Sequence, residues 1–352
     1  METRYEYDFF RARRVLEGCG KILFMIAAET FTQAADSEPM TPSIQTISVI
    51  GHGAMGSAYA SIFYTMDENC VSFVAGGERF NRLRRDGVNV NGKHYPIPVL
   101  RPEDRSPPAD LVIVAVKHHH LEAAIRDMEN RVGGKTTILS VMNGIESEER
   151  IGALYGIDAV LYAVAVGIDA VRVGNRVSYA NRGKILFGEA KNLFLTERVK
   201  RVQTLFDRAG IAHETPSDMV RTLWWKFMIN VGINQASAAL RAPYSVFQTS
   251  QEARELMDSA MREVMVLADK ANVHLSETDL AQWYTILANL NPLGKTSMLQ
   301  DVEAGRKTEV EMFAGKVIEL GRRYNVPTPV NERLHVLIKE IEGSYERARG
   351  GT

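Results

Sequence analysis

The chain has 352 residues, 45% of them hydrophobic and 24% charged, and a formal net charge of −1 at pH 7. That length suggests about two domains, with enough apolar chain to bury a core without staples. The near-zero charge excludes a global field that would draw the protein to nucleic acid or to an anionic membrane, and the only two cysteines, Cys19 and Cys70, fit a reduced, cytoplasmic setting.

The first stretch stands apart. Residues 22–28 (ILFMIAA) form a short apolar run with Arg11, Arg13, Arg14 and Lys21 upstream, a loose imitation of a secretion signal. The run is short and is flanked by Glu17 and Glu29, and no segment approaches the ~18 apolar residues of a membrane span. Residues 1–43 are therefore expected to be a flexible appended extension, with Met40 available as a second start.

From there the elements follow in order. Residues 46–50 (TISVI) read as a strand, Gly51 as a tight turn, and the small residues beyond it as a helix. Residues 71–75 (VSFVA) give a second strand, stopped by Gly76-Gly77. Residues 111–116 (LVIVAV) and 136–141 (TTILSV) are continuous apolar strands, as a parallel sheet covered on both faces requires. Further strands are expected at 160–166, 176–180 and 184–187, broken by Gly167, Gly174 and Gly183. After Ser217 the pattern turns helical: 219–240, 251–271, 277–290, 297–324 and about 331–347. The fold class is α/β: an N-terminal Rossmann domain with a doubly wound parallel sheet over 44–215, then an all-α C-terminal domain over 216–347. Pro216 punctuates the boundary.

Gly51-His52-Gly53-Ala54-Met55-Gly56 is G-x-G-x-x-G between a strand and a helix, the context that gives this pattern meaning. Gly51 permits the turn, Gly53 lets the backbone approach a pyrophosphate, and Gly56 lets helix and strand pack closely. The helix start then offers free N–H groups to phosphates. Cofactor choice is read at the end of the second strand, where an NAD site wants an acid. Here the residues are Gly76-Gly77-Glu78-Arg79, with Arg82 beyond. Arginine suits the 2′-phosphate of NADPH/NADP; Glu78 keeps NAD open, and Arg79 and Arg82 also fit a solvated helix face.

Residues 223–234 (LWWKFMINVGIN) carry Lys226, Asn230 and Asn234 at i, i+4, i+8, along one face of a mostly apolar helix with a drift of ~40° per step. Lysine and asparagine are costly there unless paired or facing a polar cleft; the plain alternative is a solvent stripe. His118-His119-His120 does not suggest a metal site, because consecutive histidines cannot all face one ion and no Cys or Asp cluster accompanies them. No metal is expected. Trp224 and Trp225 read as core packing.

Together these segments resemble the ketopantoate reductase family. The resemblance spans about residues 46–347. It rests on the glycine turn, Val116-Lys117, Met142-Asn143-Gly144, the Lys226/Asn230/Asn234 helix, and TSMLQD at 296–301 followed by RKTE at 306–309. It implies NADPH-dependent reduction of 2-dehydropantoate to (R)-pantoate, a step of pantothenate and coenzyme A biosynthesis. It implies a small-molecule 2-keto acid as partner, no nucleic acid or membrane, and admits a homodimer. Lys226 would be the proton donor, and Asn230, Asn234 and Ser297 would hold the substrate with it. Asn143 and Glu309 would sit beside the nicotinamide ribose and the reacting centre, Glu309 sharing in catalysis. Lys117 would approach the cofactor, as would Arg79 and the 51–56 turn.

Such a set suits hydride addition to a ketone, in which a protonated lysine stabilises the growing oxyanion and delivers the proton. Ser297 with Gln300 also fits a capping box opening a long helix, and so a plain N-cap. Three positions depart from the family: Gly76 where arginine is frequent, Gln235 where proline is usual, and Tyr244 where an asparagine contacts substrate. They leave open a reductase of another small 2-keto acid, or a dinucleotide-binding protein without turnover.

Overall fold

A computed structural model of the chain describes residues 43–350; the extension and its apolar run, over residues 1–42, lie outside the described residues. The chain opens with β1 (Ile47–Ile50), which passes through the glycine turn into α1 (Ala54–Met66), then β2 (Val71–Val74) and α2 (Gly77–Asp86). Three short strands follow: β3 (Val88–Val90), β4 (Lys93–Tyr95) and β5 (Val99–Leu100). Next come β6 (Leu111–Val114), α3 (Leu121–Asp127), β7 (Thr137–Ser140), α4 (Ser147–Tyr155) and β8 (Val160–Ile168). A last group of strands, β9 (Val171–Val173), β10 (Arg176–Ser178) and β11 (Arg182–Gly188), leads through α5 (Glu197–Ala209) to β12 (His213–Glu214).

The main sheet has eight strands in the order β12-β11-β8-β7-β6-β1-β2-β5. β1 pairs in parallel with β2 (Ile47 opposite Val71) and with β6 (Ile47 opposite Leu111). Alternate residues of one strand feed opposite cores: Leu111 and Ile113 pack under α1 and α5, whereas Val112 and Val114 pack under α3. That is why this strand is apolar without interruption. The chain crosses from β1 to β2 on one side and reaches β6 on the other, so the topological switch lies at the carboxyl end of β1, where open α/β sheets bind ligands.

Two features differ from the sequence expectation. β8 and β11 are antiparallel, so the doubly wound parallel sheet carries a reversed edge. The strand expected at 176–180 leaves it altogether and joins a second sheet, β4-β3-β10-β9. The Asn91-Gly92 turn between β3 and β4 has φ of 49° and 78°, the left-handed pair typical of a two-residue hairpin. That dipeptide was a usable signal for both strands.

The helical part begins with α6 (Met219–Ile229), which Asp218 caps by accepting from the Arg221 N–H at 2.9 Å. Met219 and Leu223 pack on Val164 and Leu186 of the antiparallel edge, fixing α6 to the sheet. The expected continuous helix to residue 240 holds in outline, but residues Asn230–Asn234 form a π turn before α7 (Gln235–Leu240). Then come α8 (Tyr244–Thr249), α9 (Gln251–Lys270), α10 (Glu277–Asn289) and α11 (Ser297–Glu303). The helix expected over 297–324 is in fact three pieces. α11 ends near Gly305 (φ 59°), a second π turn covers Glu311–Gly315, and α12 (Lys316–Tyr324) follows, with α13 (Pro329–Gly350) last. No helix of the described residues is long and apolar enough to cross a membrane.

Candidate functional site

The glycine turn uses each glycine differently. Gly51 has φ 105°, and a Cβ on it would lie 2.5 Å from the Ala115 carbonyl oxygen. A Cβ on Gly56 would lie 1.9 Å from the Gly51 oxygen, so α1 and β1 meet only through glycine. Gly53 is the opposite case: a Cβ there meets nothing within 4 Å. The fold does not need glycine at 53, whereas a backbone-bound pyrophosphate would. The first helical bond runs from the Ser57 N–H to the Gly53 oxygen at 3.0 Å. Before it, the N–H groups of Ala54, Met55 and Gly56 make no hydrogen bond with described residues, leaving donors for an anion.

Cations gather beside this turn. Arg82 Nη2 lies 3.2 Å from His52 Nε2, and Arg172, on β9, donates to the His52 carbonyl. Burial, then the charges of Arg172, Arg82 and Arg79, push the His52 pKa down to about 4. The ring is neutral at pH 7, so Nε2 is the acceptor from Arg82 and the proton sits on Nδ1. None of Arg79, Arg82 or Arg172 has a carboxylate partner among the described residues. Guanidinium groups without a salt bridge, beside N–H groups without a described partner, are an arrangement that suits an anion. Arg172 is distant in sequence and unmarked by any motif; only the small second sheet brings it here.

The opposite wall is α6 and its π turn. Asn230 and Asn234 are buried, at 3% and 6% exposure. An i→i+5 turn rotates less per residue than an α-helix, so the step from Asn230 to Asn234 does not add to the drift of the step from Lys226. Gly232 permits the packing behind them: a Cβ would lie 2.5 Å from the Met261 side chain on α9. Lys226 keeps a partial opening to solvent. It makes no hydrogen bond or ion pair with a described residue, and burial alone pushes its pKa down to about 8.

Polar contacts join the two walls. Asn230 Nδ2 donates to Asn143 Oδ1 at 3.3 Å, and Asn143 Nδ2 donates to Glu309 Oε2 at 3.2 Å. Burial raises the Glu309 pKa, partly offset by the Lys117 charge and the Asn143 bond. Lys117 Nζ pairs with Asp301 Oδ2 at 2.6 Å, and Arg306 Nε holds the other oxygen, Oδ1, at 2.9 Å. The structure thus brings Lys117, Asn143, Asn230 and Glu309 together across one cleft. Asp301 was missed as the counter-ion of Lys117.

Ser297 is placed differently from its capping-box reading. Thr296 is the N-cap, its hydroxyl accepting from the Leu299 N–H at 3.1 Å. Ser297 is the first helical residue, exposed, of a helix of only seven residues, and its hydroxyl stays free of described partners. Tyr244 lies behind the same loop, its N–H donating to the Gly294 carbonyl at 3.0 Å. Among the described residues no cluster of His, Cys, Asp or Glu could hold a metal ion, and His118–His120 form one 3₁₀ turn.

Residues 47–192 match the family described as ketopantoate reductase PanE/ApbA, and residues 218–342 match its C-terminal part. The chain belongs to the ketopantoate reductase family. The 2-dehydropantoate 2-reductase of Aquifex aeolicus is 27% identical over 307 residues, covering 84% of this chain and 96% of that protein. Among solved structures, D-mandelate dehydrogenase with NADH and anilino(oxo)acetate superposes with a TM-score of 0.76 at 21% identity, covering 86% of this chain and 99% of that one. The 2-dehydropantoate 2-reductase of Geobacter metallireducens gives 0.73 at 24% identity, covering 84% and 99%.

The glycine geometry separates folding from binding. Gly51→Ala should lose several degrees of Tm, because it adds both left-handed strain and a backbone collision. Gly53→Val should keep the parent Tm and lose dinucleotide affinity by at least about tenfold in a fluorescence titration, since only a ligand would meet its side chain. Parent-like affinity in Gly53→Val would remove the phosphates from this turn.

Proposed function

We propose that the protein reduces 2-dehydropantoate to pantoate with NADPH, residues 44–215 carrying the dinucleotide and 216–347 the substrate. The observation that carries this reading is Lys226: an ammonium in the wall of an apolar helix, without a partner among the described residues, at the head of a face that continues through Asn230 and Asn234. A charge largely withdrawn from water and without a described partner is expensive. Its cost is understandable if the group meets negative charge only during a reaction.

The residues fit a nicotinamide cofactor. The unpaired N–H groups after Gly53 suit its pyrophosphate, and the Arg79, Arg82 and Arg172 charges suit a 2′-phosphate. When bound, the cofactor supplies the hydride that adds to the carbonyl carbon. Lys226 gives its proton to the carbonyl oxygen, so the ketone becomes an alcohol and the lysine is left neutral. With a pKa of about 8, Lys226 is protonated at pH 7 yet gives up its proton more readily than an ordinary lysine. Asn230 and Asn234 orient the substrate's polar groups, and the free Ser297 hydroxyl is available to its carboxylate. Asn143 holds Glu309 beside the reacting centre, where burial raises the pKa of its carboxyl.

A second reading, reduction of a different small 2-keto acid, is favoured by Tyr244, which backs the loop leading to Ser297. NADPH oxidation against ketopantoate and a panel of branched 2-keto acids decides between them. Ketopantoate should give the highest kcat/KM; a larger value for another 2-keto acid would favour the second reading, and no oxidation with any of them would overturn both.

Lys226→Met should lower kcat by about 10²–10⁴-fold, the usual worth of general acid catalysis, with NADPH affinity retained. The same variant should raise Tm. The folded lysine titrates at about 8 against an ordinary value near 10.5, so its cost is fully present below pH 8 and fades as pH rises towards 10.5. The Tm gain should therefore be larger at pH 7 than at pH 10. A Lys226→Met protein that melts lower at pH 7 and keeps its kcat would make Lys226 a packing residue.

The Arg79→Ala, Arg82→Ala double variant should weaken NADPH binding by about 10–100-fold, the worth of charge-assisted bonds to a phosphate, and leave NADH binding within about twofold. Equal losses for both cofactors would place the 2′-phosphate elsewhere.

A further inference from the structure

We infer that Gln235 is a positioning residue that fixes the substrate-side asparagines relative to Glu309 by pinning two π turns to each other. One turn, Asn230–Asn234, carries both asparagines; the other, Glu311–Gly315, begins two residues after Glu309. Each π turn displaces one backbone group from the regular ladder. In an α-helix the Gln235 N–H would bond the Val231 carbonyl; here it bonds Gly232 instead. Likewise the Gly315 N–H takes the Val310 carbonyl at 3.0 Å, which would otherwise serve the Ala314 N–H.

Gln235, fully buried, satisfies both displaced groups with one side chain. Its Nε2 donates to the Val231 carbonyl at 2.8 Å, and its Oε1 accepts from the Ala314 N–H at 3.0 Å. The second Nε2 proton goes to Asn331 Oδ1 at 3.0 Å. The amide cannot be turned the other way round. Asn331 Nδ2 is already committed to Glu263 Oε2 at 2.7 Å, so Asn331 offers Gln235 only an acceptor, and Ala314 offers only a donor. Glu263 is itself held by the Val330 and Asn331 N–H groups at 2.7 and 3.1 Å. The bridge is therefore anchored to α9 and α13 and has one orientation.

On the far side of the same turns, Asn230 reaches Glu309 through Asn143. The Gln235 side chain bonds Val231, Asn331 and Ala314 and none of the groups assigned to substrate or cofactor. It sets the separation of the backbones that carry them, and small displacements of reacting groups are costly to rate. This inference rests on the reading of Asn230, Asn234 and Glu309 as site residues given above.

The test compares Gln235→Met, which keeps the volume and removes all three bonds, with Leu287→Ala, a cavity variant in α10, as a control for lost stability. Both should melt below the parent. Gln235→Met should raise KM for ketopantoate or lower kcat by about tenfold or more, with the Kd for NADPH within about twofold of the parent. Leu287→Ala should leave all three constants near parental. Gln235→Glu retains the acceptor and, when protonated, one donor, so its loss of kcat/KM relative to the parent should shrink from pH 8 to pH 6; this comparison stands in if Gln235→Met does not fold. A Gln235→Met protein with parental kcat and KM, or a Gln235→Glu deficit independent of pH, would reduce the bridge to a stability element. A parent chain that oxidises NADPH with no 2-keto acid would remove the underlying reading and this inference with it.

Discussion

The cost of holding one ammonium group in an apolar wall organises this structure. Lys226 sits on a helix whose neighbours Phe227, Met228 and Ile229 are all buried, and no described residue pairs with it. Desolvation without a counter-charge destabilises the charged form, and folding has to carry that penalty. The carboxyl groups of the cleft have partners of their own. Asp301 is engaged by Lys117 and Arg306, and Glu309 is held by Asn143.

Those same contacts join the sheet to the helices. Lys117 and Asn143 extend from loops after β6 and β7, near the topological switch, and Asp301 and Glu309 answer from the helical side. Glu146 and Lys316 add an ion pair across the same junction, with Lys316 only 10% exposed. A cleft crossed by partly buried polar links is stiffer than one closed by surface ion pairs, which contribute little. The two π turns face each other within the helical wall. Such turns are uncommon and recur at functional sites; here they set where Asn230, Asn234 and Glu309 stand.

Much of this was legible in the residues. The glycine turn, the uninterrupted apolar strands and the Lys226/Asn230/Asn234 spacing each carry a physical signature that survives without tertiary context. The π turns do not. They depend on Gly232 admitting α9 and on Gln235 reaching a segment 79 residues away, and no local pattern encodes that. Arg172 and Asp301 were invisible for the same reason: each acts on a partner more than a hundred residues distant. Ser297 was misread because Thr296 and Ser297 are both good caps, and only the backbone decides which one precedes the helix. β3 and β4 are different, since Asn91-Gly92 announced their hairpin in the sequence.

Burial, with no ion pair to a described residue, pushes the Lys226 pKa down to about 8. The profile of kcat/KM against pH reports the acid of the enzyme form that meets the substrate, here the cofactor complex, which makes it the most direct measurement of the central claim. For ketopantoate reduction with saturating NADPH between pH 6 and pH 10, kcat/KM should be level at low pH and fall tenfold per unit above about 8. The residual activity of Lys226→Met should show no such limb. A parent profile that stays level to pH 10, or a limb near 8 that persists in the variant, would contradict the assignment of Lys226 as the proton donor.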